Sequence, residues 1–508
     1  MLGYGAATGL ALRRLPPGAL AGVASPSSGA VDVVLDRPTP DQPTPALAGA
    51  PEQPAEDHVY DLVVSGGRLI DPESGFDDVA HVGVDGGFVT AVSREPLRGR
   101  RAIDARDRVV APGFIDILSY EPNSYGIWYK VADGVTTNLG MHGINARAAD
   151  FLARFDAEGS PCHYGGAYDN PFMRGDGGLG VGTGEACSPA QIASLTDDLR
   201  QQLADGWIVV DVEPEYTPGI AYDEIAALAA VAADAGVACF FHGRYSDDRP
   251  PGTNADTLGE ILQVARDTGA GVHVQHLTST GGTFTMERSL ATLDAAVAEG
   301  LDVTACMYPY TFWATFLGSA RFTDGWQERF RVGYDDLEVV GTGERLTAAN
   351  FEDYRSDNVL VAAHAIPAAD VVAGLRSPLV MLGSDAILEP GDRNHPRATG
   401  CFARTLGRFV RDQQVLSLSA ALAKMTILPA RRFGPAVPAM ARKGRLQRGA
   451  DADICVFDPA TVSDRSTLSD PARESVGIDW VVVAGQIVKD PDTIHRDVLP
   501  GRPITMAT

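Results

Sequence analysis

Lysine is scarce in this 508-residue chain, which has only Lys130, Lys424, Lys443 and Lys489. Acidic residues outnumber basic residues by 66 to 42, and the formal net charge is −24. Such a charge repels nucleic-acid phosphates and anionic membranes, so we expect neither as a partner. No apolar run reaches the roughly 18 to 20 residues that span a bilayer. The composition therefore favours a soluble protein.

The chain also lacks a disulfide framework. Its six cysteines are scattered and include no CxxC pair, which predicts buried free thiols in a reducing compartment such as the cytoplasm. Residues 1–57 are rich in proline and alanine and predict a disordered extension. Arg13 and Arg14 precede a short small-residue stretch, which keeps export as the alternative location.

Both ends of the ordered chain have the alternation typical of β-strands. Candidate strands lie at 59–71, 82–84 and 88–92 near the start, and within 450–458 and 479–488 near the end. We therefore expect residues 58–110 and 433–508 to pair into one small β-sandwich.

Residues 111–432 alternate apolar strands with amphipathic helical stretches, such as 222–235 and 285–299. This alternation is typical of parallel β/α units, and eight of them predict a TIM (β/α)8 barrel of the α/β class. The strand candidates are 109–116, 135–141, 164–168, 208–212, 237–241, 272–275, 303–307 and 379–382. Residues 318–357 fall outside the repeat and predict an insertion over the barrel mouth.

Four titratable residues follow predicted barrel strands, namely His142, His242, His276 and Asp385. Barrel enzymes place functional groups at these strand ends. Three imidazoles and one carboxylate there would suit Zn²⁺ with an open position for water. Such a metal lowers the pKa of its bound water and polarises a scissile carbonyl. A single histidine is more often structural, but three of the ten histidines occupy such positions.

Three other histidines are weaker candidates. His364 follows the apolar run 358–363, but this run lies beyond the predicted insertion. His163 and His273 precede or alternate within predicted strands, so we expect structural roles for them.

Eight short segments resemble N-acyl-D-amino-acid deacylases of the amidohydrolase superfamily, in that family's order and over residues 58–508. They are APGFID at 111–116, DGVTT at 133–137, QHL at 275–277, YPY at 308–310, GSD at 383–385, HPR at 395–397, LPARRF at 428–433 and GADAD at 449–453. Each motif is weak alone, but the ordered set is specific.

The resemblance implies a zinc-dependent hydrolase that cleaves the amide bond of an N-acyl-D-amino acid by means of a metal-activated water. It implies that His142, which replaces the family's cysteine, binds the metal with His242 and His276. Asp385 would act as general base and then general acid, with a fourth-ligand or helix-capping role as the alternative.

Two departures from the superfamily pattern predict one zinc ion per chain rather than two. The usual His-x-His pair of the first strand is replaced by Leu118 and Tyr120. No predicted barrel strand ends in lysine, so the carbamylated-lysine bridge of binuclear relatives is unavailable.

A substrate carboxylate would be bound by an arginine, whose planar fork matches a carboxylate. Arg244 is the first candidate because it lies two residues after His242. The further candidates are Tyr308, Tyr216, Arg174 and Arg397. The family's lysine after the sixth strand is replaced by Thr278, which separates this chain from its relatives in substrate contacts.

Two alternatives remain open at the level of sequence. The same scaffold could open a cyclic amide such as a hydantoin or lactam, in which case Arg244 would be dispensable. The chain could also be a non-catalytic relative that has lost its metal, in which case purified protein would contain no stoichiometric metal.

Overall fold

The computed structural model describes residues 46–47, 50, 54–55, 57–391 and 394–506. The predicted extension at 1–57, including Arg13 and Arg14, lies almost entirely outside the described residues. Leu47 is described, and its backbone N–H donates to the carbonyl of Arg448 at 2.9 Å. Within the described ranges, no helix is both long and apolar enough to cross a membrane.

Strands and helices are numbered in chain order. The strands are β1 (Val59–Asp71), β2 (Phe76–Asp85), β3 (Phe88–Ser93), β4 (Arg98–Asp104), β5 (Val109–Pro112), β6 (Phe114–Ser119), β7 (Val135–Gly140), β8 (His163–Asp169), β9 (Val209–Val212), β10 (Ala238–Phe241), β11 (Gly271–Val274), β12 (Val303–Met307), β13 (Trp313–Phe316), β14 (Leu337–Val339), β15 (Leu360–Ala363), β16 (Val380–Leu382), β17 (Ile454–Phe457), β18 (Ile478–Val483) and β19 (Gln486–Lys489). The helices are α1 (Ile127–Ala132), α2 (Ala148–Glu158), α3 (Asn170–Arg174), α4 (Pro189–Ala204), α5 (Tyr222–Ala235), α6 (Asn254–Thr268), α7 (Met286–Ala298), α8 (Trp326–Phe330), α9 (Phe351–Ser356), α10 (Ala368–Arg376), α11 (Arg397–Arg404), α12 (Leu418–Met425) and α13 (Ile427–Arg432).

The two chain ends pair with each other, as the sequence predicts, and they form one sheet where the sequence predicts a β-sandwich. Its order is β19-β18-β17-β5-β1-β2-β3, and β4 pairs with β1. Antiparallel pairing of β17 with β5 joins the ends, with Ile454 opposite Pro112. Apolar side chains from both ends, including Val82 and Val482, pack into a shared core. This sheet is a separate layer from the barrel.

The predicted TIM barrel is confirmed. Its parallel strands run in the order β16-β12-β11-β10-β9-β8-β7-β6. The last strand returns to the first, because the backbone N–H of Asp385 donates to the carbonyl of Leu118 at 2.6 Å. Ile117, Leu139 and Phe240 are among the side chains that fill its core. The helices at 222–235 and 285–299 are also confirmed, as α5 and α7.

The predicted first barrel strand, 109–116, divides into two strands in the structure. Its first half is β5 in the terminal sheet, and its second half is β6 in the barrel. The break falls at Gly113, where a side chain would overlap Thr136. The apolar run 109–116 therefore contributes one strand to the terminal sheet and one strand to the barrel.

The predicted insertion is longer in the structure than 318–357. The insertion contains an antiparallel sheet of order β13-β15-β14. Trp313 on β13 pairs with Ala363 on β15. Aromatic side chains pack inside it, with Trp313 5.1 Å from Phe330 and Trp326 5.4 Å from Phe351 between ring centroids. This core makes the insertion a small folded unit rather than a loop.

All six cysteines lie in the described part of the chain, and all are buried and free. The prediction of free thiols is therefore confirmed. Burial raises the pKa of the Cys239 thiol to about 12, so this thiol stays protonated and unreactive near neutral pH.

Candidate metal centre and active site

Three histidines meet at the carboxyl ends of the barrel strands. His142 lies two residues after β7, His242 directly follows β10, and His276 lies two residues after β11. All three are buried, and their candidate ligand atoms lie within 4.8 Å of one another. The ring centroids of His242 and His276 are 4.6 Å apart. The structure thus brings together the three residues that the sequence singled out.

The protonation states of two of these histidines suit a metal ion. Burial lowers the pKa of His242, and burial lowers the pKa of His276 well below its ordinary value. Both rings are therefore neutral near pH 7, which is the form that binds metal. Nδ1 of His242 is buried without a hydrogen-bond partner. Buried polar atoms are rarely left unpaired, and a cation would supply the missing partner.

Two carboxylates flank His142. Glu213 Oε1 lies 3.0 Å from its Nδ1, and Asp211 Oδ2 lies 3.6 Å from the same atom. Burial opposes protonation of His142, but Glu213 and Asp211 outweigh it and raise its pKa well above the ordinary value. His142, Asp211 and Glu213 form a second group whose ligand atoms lie within 4.8 Å of one another. Sequence reasoning missed these carboxylates, although both sit at the end of β9.

A buried ion pair supports His242. Glu215 Oε2 lies 2.7 Å from Nε2 of His242, and Arg321 Nε donates to the same oxygen at 2.9 Å. Ser246 donates to the other carboxylate oxygen at 2.6 Å. Burial raises the pKa of Glu215, but Arg321 and His242 outweigh it and hold that pKa at about 2. Arg321 belongs to the insertion, and the sequence offered no signal that it would reach the barrel.

Asp385 and Arg397 form another buried pair, with Oδ2 to Nη2 at 2.8 Å. Asp385 has a left-handed backbone with φ of 52°, a strained conformation that is concentrated at functional sites. Its Oδ1 has no hydrogen-bond partner, and neither do Nε and Nη1 of Arg397. The Arg397 guanidinium lies 4.2 Å from the ring centroid of Tyr308, whose hydroxyl is also unpartnered. Both side chains of this pair therefore have polar atoms that can form hydrogen bonds with a bound molecule.

Two tyrosines line the histidine cluster. The Tyr216 ring lies 4.5 Å from the His242 ring, and its hydroxyl is 3.4 Å from Oγ1 of Thr315 in the insertion. The Tyr120 ring lies 5.3 Å from the His142 ring. Leu118 is fully buried in the barrel core and has no atom that can bind a metal.

Arg244 and Arg174, two of the predicted carboxylate-binding residues, are already paired. Arg244 donates to both oxygens of Glu260 and to the carbonyl of Ile220. Arg174 pairs with Glu224 at 3.2 Å and donates to two backbone carbonyls. Their guanidinium groups are therefore engaged within the protein, which disfavours the role predicted for them.

The three weaker histidine candidates have structural contacts. His364 lies at the end of β15 in the insertion, and its Nε2 is 3.0 Å from Glu338. His163 pairs with Asp453 of the terminal sheet at 3.0 Å. Nδ1 of His273 is 2.8 Å from Oγ1 of Thr304.

Known proteins resemble this chain along most of its length. A sequence model of the amidohydrolase family matches residues 319–489. N-acyl-D-glutamate deacylase of Alcaligenes xylosoxydans xylosoxydans is 31% identical over 486 residues, covering 87% of this chain and 96% of that protein. D-aminoacylase of the same organism is 28% identical over 465 residues, covering 84% and 94%.

A solved structure gives the same result. N-acyl-D-glutamate deacylase from Bordetella bronchiseptica, complexed with zinc and a phosphonate inhibitor that mimics the tetrahedral intermediate, superposes with a TM-score of 0.75. It is 27% identical, and the alignment covers 88% of this chain and all of that one.

Proposed function

Because the chain belongs to the amidohydrolase family that includes N-acyl-D-glutamate deacylase, we propose that it hydrolyses the amide bond of N-acyl-D-amino acids. The products are a carboxylic acid and the free D-amino acid. One observation carries the proposal: three buried histidines converge beside a carboxylate and an arginine that both have unpartnered polar atoms.

The metal of this enzyme is one tightly held zinc ion, with His142, His242 and His276 as its ligands. Zinc prefers nitrogen and sulfur ligands in a four-coordinate site, and a catalytic site keeps one position open. Zinc bound there would polarise the amide carbonyl and acidify water. Glu215 orients His242 through its Nε2, which leaves Nδ1 of that ring for the metal.

Asp385 moves the proton. Its unpartnered Oδ1 accepts a proton from the attacking water, and the same carboxyl then delivers it to the nitrogen of the leaving amine. The hydrogen bond from the Asp385 backbone to Leu118 ties this residue to β6, and its second oxygen is held by Arg397. These contacts fix the carboxylate while leaving one oxygen available.

The substrate carboxylate is bound by Arg397 with help from Tyr308. Arg397 is buried and retains two unpartnered donors, and the Tyr308 hydroxyl is also free. A charged hydrogen bond in a buried site discriminates strongly for a carboxylate. Tyr216, which contacts the His242 ring and Thr315 of the insertion, also lines the site.

The test is hydrolysis by purified protein of known zinc content. N-acetyl-D-glutamate, N-acetyl-D-leucine, N-acetyl-L-glutamate and a hydantoin would be compared at equal concentration. We expect turnover of the D substrates, with the acidic side chain preferred, and none of the L substrate. Turnover of the hydantoin alone would favour the cyclic-amide reaction, and protein without stoichiometric metal would overturn the proposal.

A further inference from the structure

The buried ammonium group of Lys130 has no role in the reaction proposed above. Lys130 lies on α1, between the barrel strands β6 and β7, and only 1% of its side chain is exposed. Its Nζ donates to Oδ2 of Asp116 at 2.8 Å and to Oγ of Ser384 at 2.5 Å. Asp116 is fully buried on β6, and Ser384 directly precedes Asp385. The ammonium group therefore joins β6 to the segment that carries the proposed general base.

These contacts fix both residues next to Asp385. Oδ1 of Asp116 accepts a hydrogen bond from the backbone N–H of Ser384 at 2.9 Å. An ammonium group can only donate, so the Ser384 oxygen accepts from Lys130, and the one proton of this hydroxyl remains for another bond. Its nearest acceptor is the carbonyl of Ala386, at 2.9 Å. Lys130 thus sets the direction of a hydrogen bond that spans Asp385.

The backbone at Asp385 requires such support. Its φ of 52° lies in the left-handed region, an unfavourable conformation for a residue other than glycine, which persists where the surrounding structure imposes it. The backbone N–H of Asp385 is also held, by the carbonyl of Leu118. Hydrogen bonds are directional, whereas apolar side chains of the same volume would fill the space without imposing an orientation. The buried ion pair of Lys130 is therefore explained by geometry rather than by stability.

We propose that Lys130 is a positioning residue, which holds Asp385 in its working orientation through Ser384. The inference rests on the proposed role of Asp385 as general base. The Asp385 carboxylate requires a fixed position, because its Oδ2 contacts Nη2 of Arg397 at 2.8 Å while its Oδ1 is left without a partner. A reacting group that is displaced by about 1 Å can lose about 10²-fold in rate. Loss of the ammonium group should therefore lower kcat, although Lys130 itself does not touch the substrate.

The test is the steady-state kinetics of zinc-loaded Lys130→Met with N-acetyl-D-glutamate, at a temperature at which the variant is folded. We expect kcat to fall about 10- to 100-fold while KM changes little, because Arg397 still binds the substrate carboxylate. Lys443→Met is the matched control. Lys443 is also buried, and its Nζ donates to Asp451 at 2.8 Å and to Asp453 at 2.7 Å, in the segment before β17. This control should lose stability but keep the kcat of the unmodified protein.

A double variant separates positioning from general destabilisation. Adding Lys130→Met to Asp385→Asn should leave the residual kcat of Asp385→Asn unchanged, since the group that Lys130 positions is already gone. A merely structural lysine would lower kcat by the same factor in both backgrounds. That result would overturn the proposal, and so would an unchanged kcat in Lys130→Met.

Ser384→Ala tests the same network if Lys130→Met does not fold. This variant keeps the ion pair between Lys130 and Asp116 and removes only the hydroxyl that accepts from the ammonium group. It should also lower kcat and leave KM almost unchanged. An unchanged kcat in Ser384→Ala would contradict the proposal.

Crystallography distinguishes failure of this inference from failure of the proposed function. If the unmodified protein hydrolyses no N-acyl-D-amino acid, the proposed function fails, and the crystal structure of Lys130→Met or Ser384→Ala then decides the inference by comparison with that of the unmodified protein. We expect φ of residue 385 to leave the left-handed region and the contact between Asp385 and Arg397 to lengthen. An unchanged backbone and an unchanged contact would overturn the proposal.

Discussion

Arg321 donates from Nε to the carboxylate of Glu215 at 2.9 Å, and both side chains are almost completely buried. This ion pair joins the insertion to the barrel, since the same oxygen of Glu215 contacts His242. Arg321 also donates to the backbone carbonyl of Ser279, three residues after His276. The folded state of the insertion is thereby coupled to two of the three candidate zinc ligands.

Replacing Arg321 should weaken zinc binding. Arg321→Met leaves Glu215 as an unpaired buried charge, a change that typically costs about 3–5 kcal/mol, and it releases the carboxylate that orients His242. We expect a lower melting temperature and faster zinc loss to a chelator. The matched control is Arg331→Met, since Arg331 lies in the same insertion and its ion pair with Asp248, which lies between β10 and α6, is partly exposed. This variant should change stability by less than about 1 kcal/mol. Equal zinc retention in both variants would contradict the role assigned to Arg321.

Asp385→Asn distinguishes a general base from a metal ligand. As a base, Asp385 can be lost without losing zinc, because the three histidines remain. The turnover number kcat should then fall by roughly 10² to 10⁴, the usual contribution of proton transfer. Zinc content and kcat would be measured on the same preparation. A variant with full zinc content and near-normal turnover would contradict the role of Asp385 as general base. If zinc content and kcat both fell, Asp385 would instead be a metal ligand.

Removing one histidine of the cluster should remove the tightly held metal. His242→Ala and His276→Ala each leave two ligands, too few for a stable zinc site, so zinc after dialysis should fall from about one ion per chain to nearly none, together with activity. His364→Ala is the control, because His364 pairs with Glu338 in the insertion. Elemental analysis checks this prediction, and two ions per unmodified chain after extensive dialysis would contradict it.

Arg397 rather than Arg244 should govern recognition of the substrate carboxylate. Arg397→Lys keeps the charge that Asp385 needs but loses the planar fork. A charged hydrogen bond contributes about 1.5–3 kcal/mol, so kcat/KM should fall roughly 10- to 100-fold. Arg244→Gln should retain most activity, because Arg244 is bound to Glu260. A larger loss of kcat/KM in Arg244→Gln would reverse the assignment.

Glu215 should make the metal-free protein sensitive to acid. Its folded-state pKa is about 2, against an ordinary value of 4.5. A carboxyl group whose pKa is lowered in the folded state stabilises the fold, here by about 3 kcal/mol. This stabilisation is complete above about pH 4.5 and is lost as the pH falls towards 2. Glu215→Gln lacks this proton linkage, so its free energy of unfolding should fall less steeply over that range. Chemical denaturation at several pH values measures both slopes, and parallel slopes would contradict the shift.

The sequence by itself determined the barrel and its three histidines. Strand and helix periodicity identified eight β/α units, and parallel strands in a closed barrel bring their carboxyl ends to one face. His142, His242 and His276 therefore had to approach one another once the fold was known. The positions of these histidines along the chain were enough to predict that they meet, because each lies within two residues of a strand end.

Only the tertiary structure decided which charged groups have partners. Arg244 and Arg397 are equally suitable as residues, yet Arg244 is bound by Glu260 whereas Arg397 keeps two free donors. Glu215 and Arg321 are 106 residues apart in sequence, and no local pattern predicts that they meet. Ion pairing depends on distances between distant segments and on burial, whereas strand and helix patterns depend on neighbouring residues. For this reason the fold and the histidines could be predicted from the sequence, and the network that orients them could not.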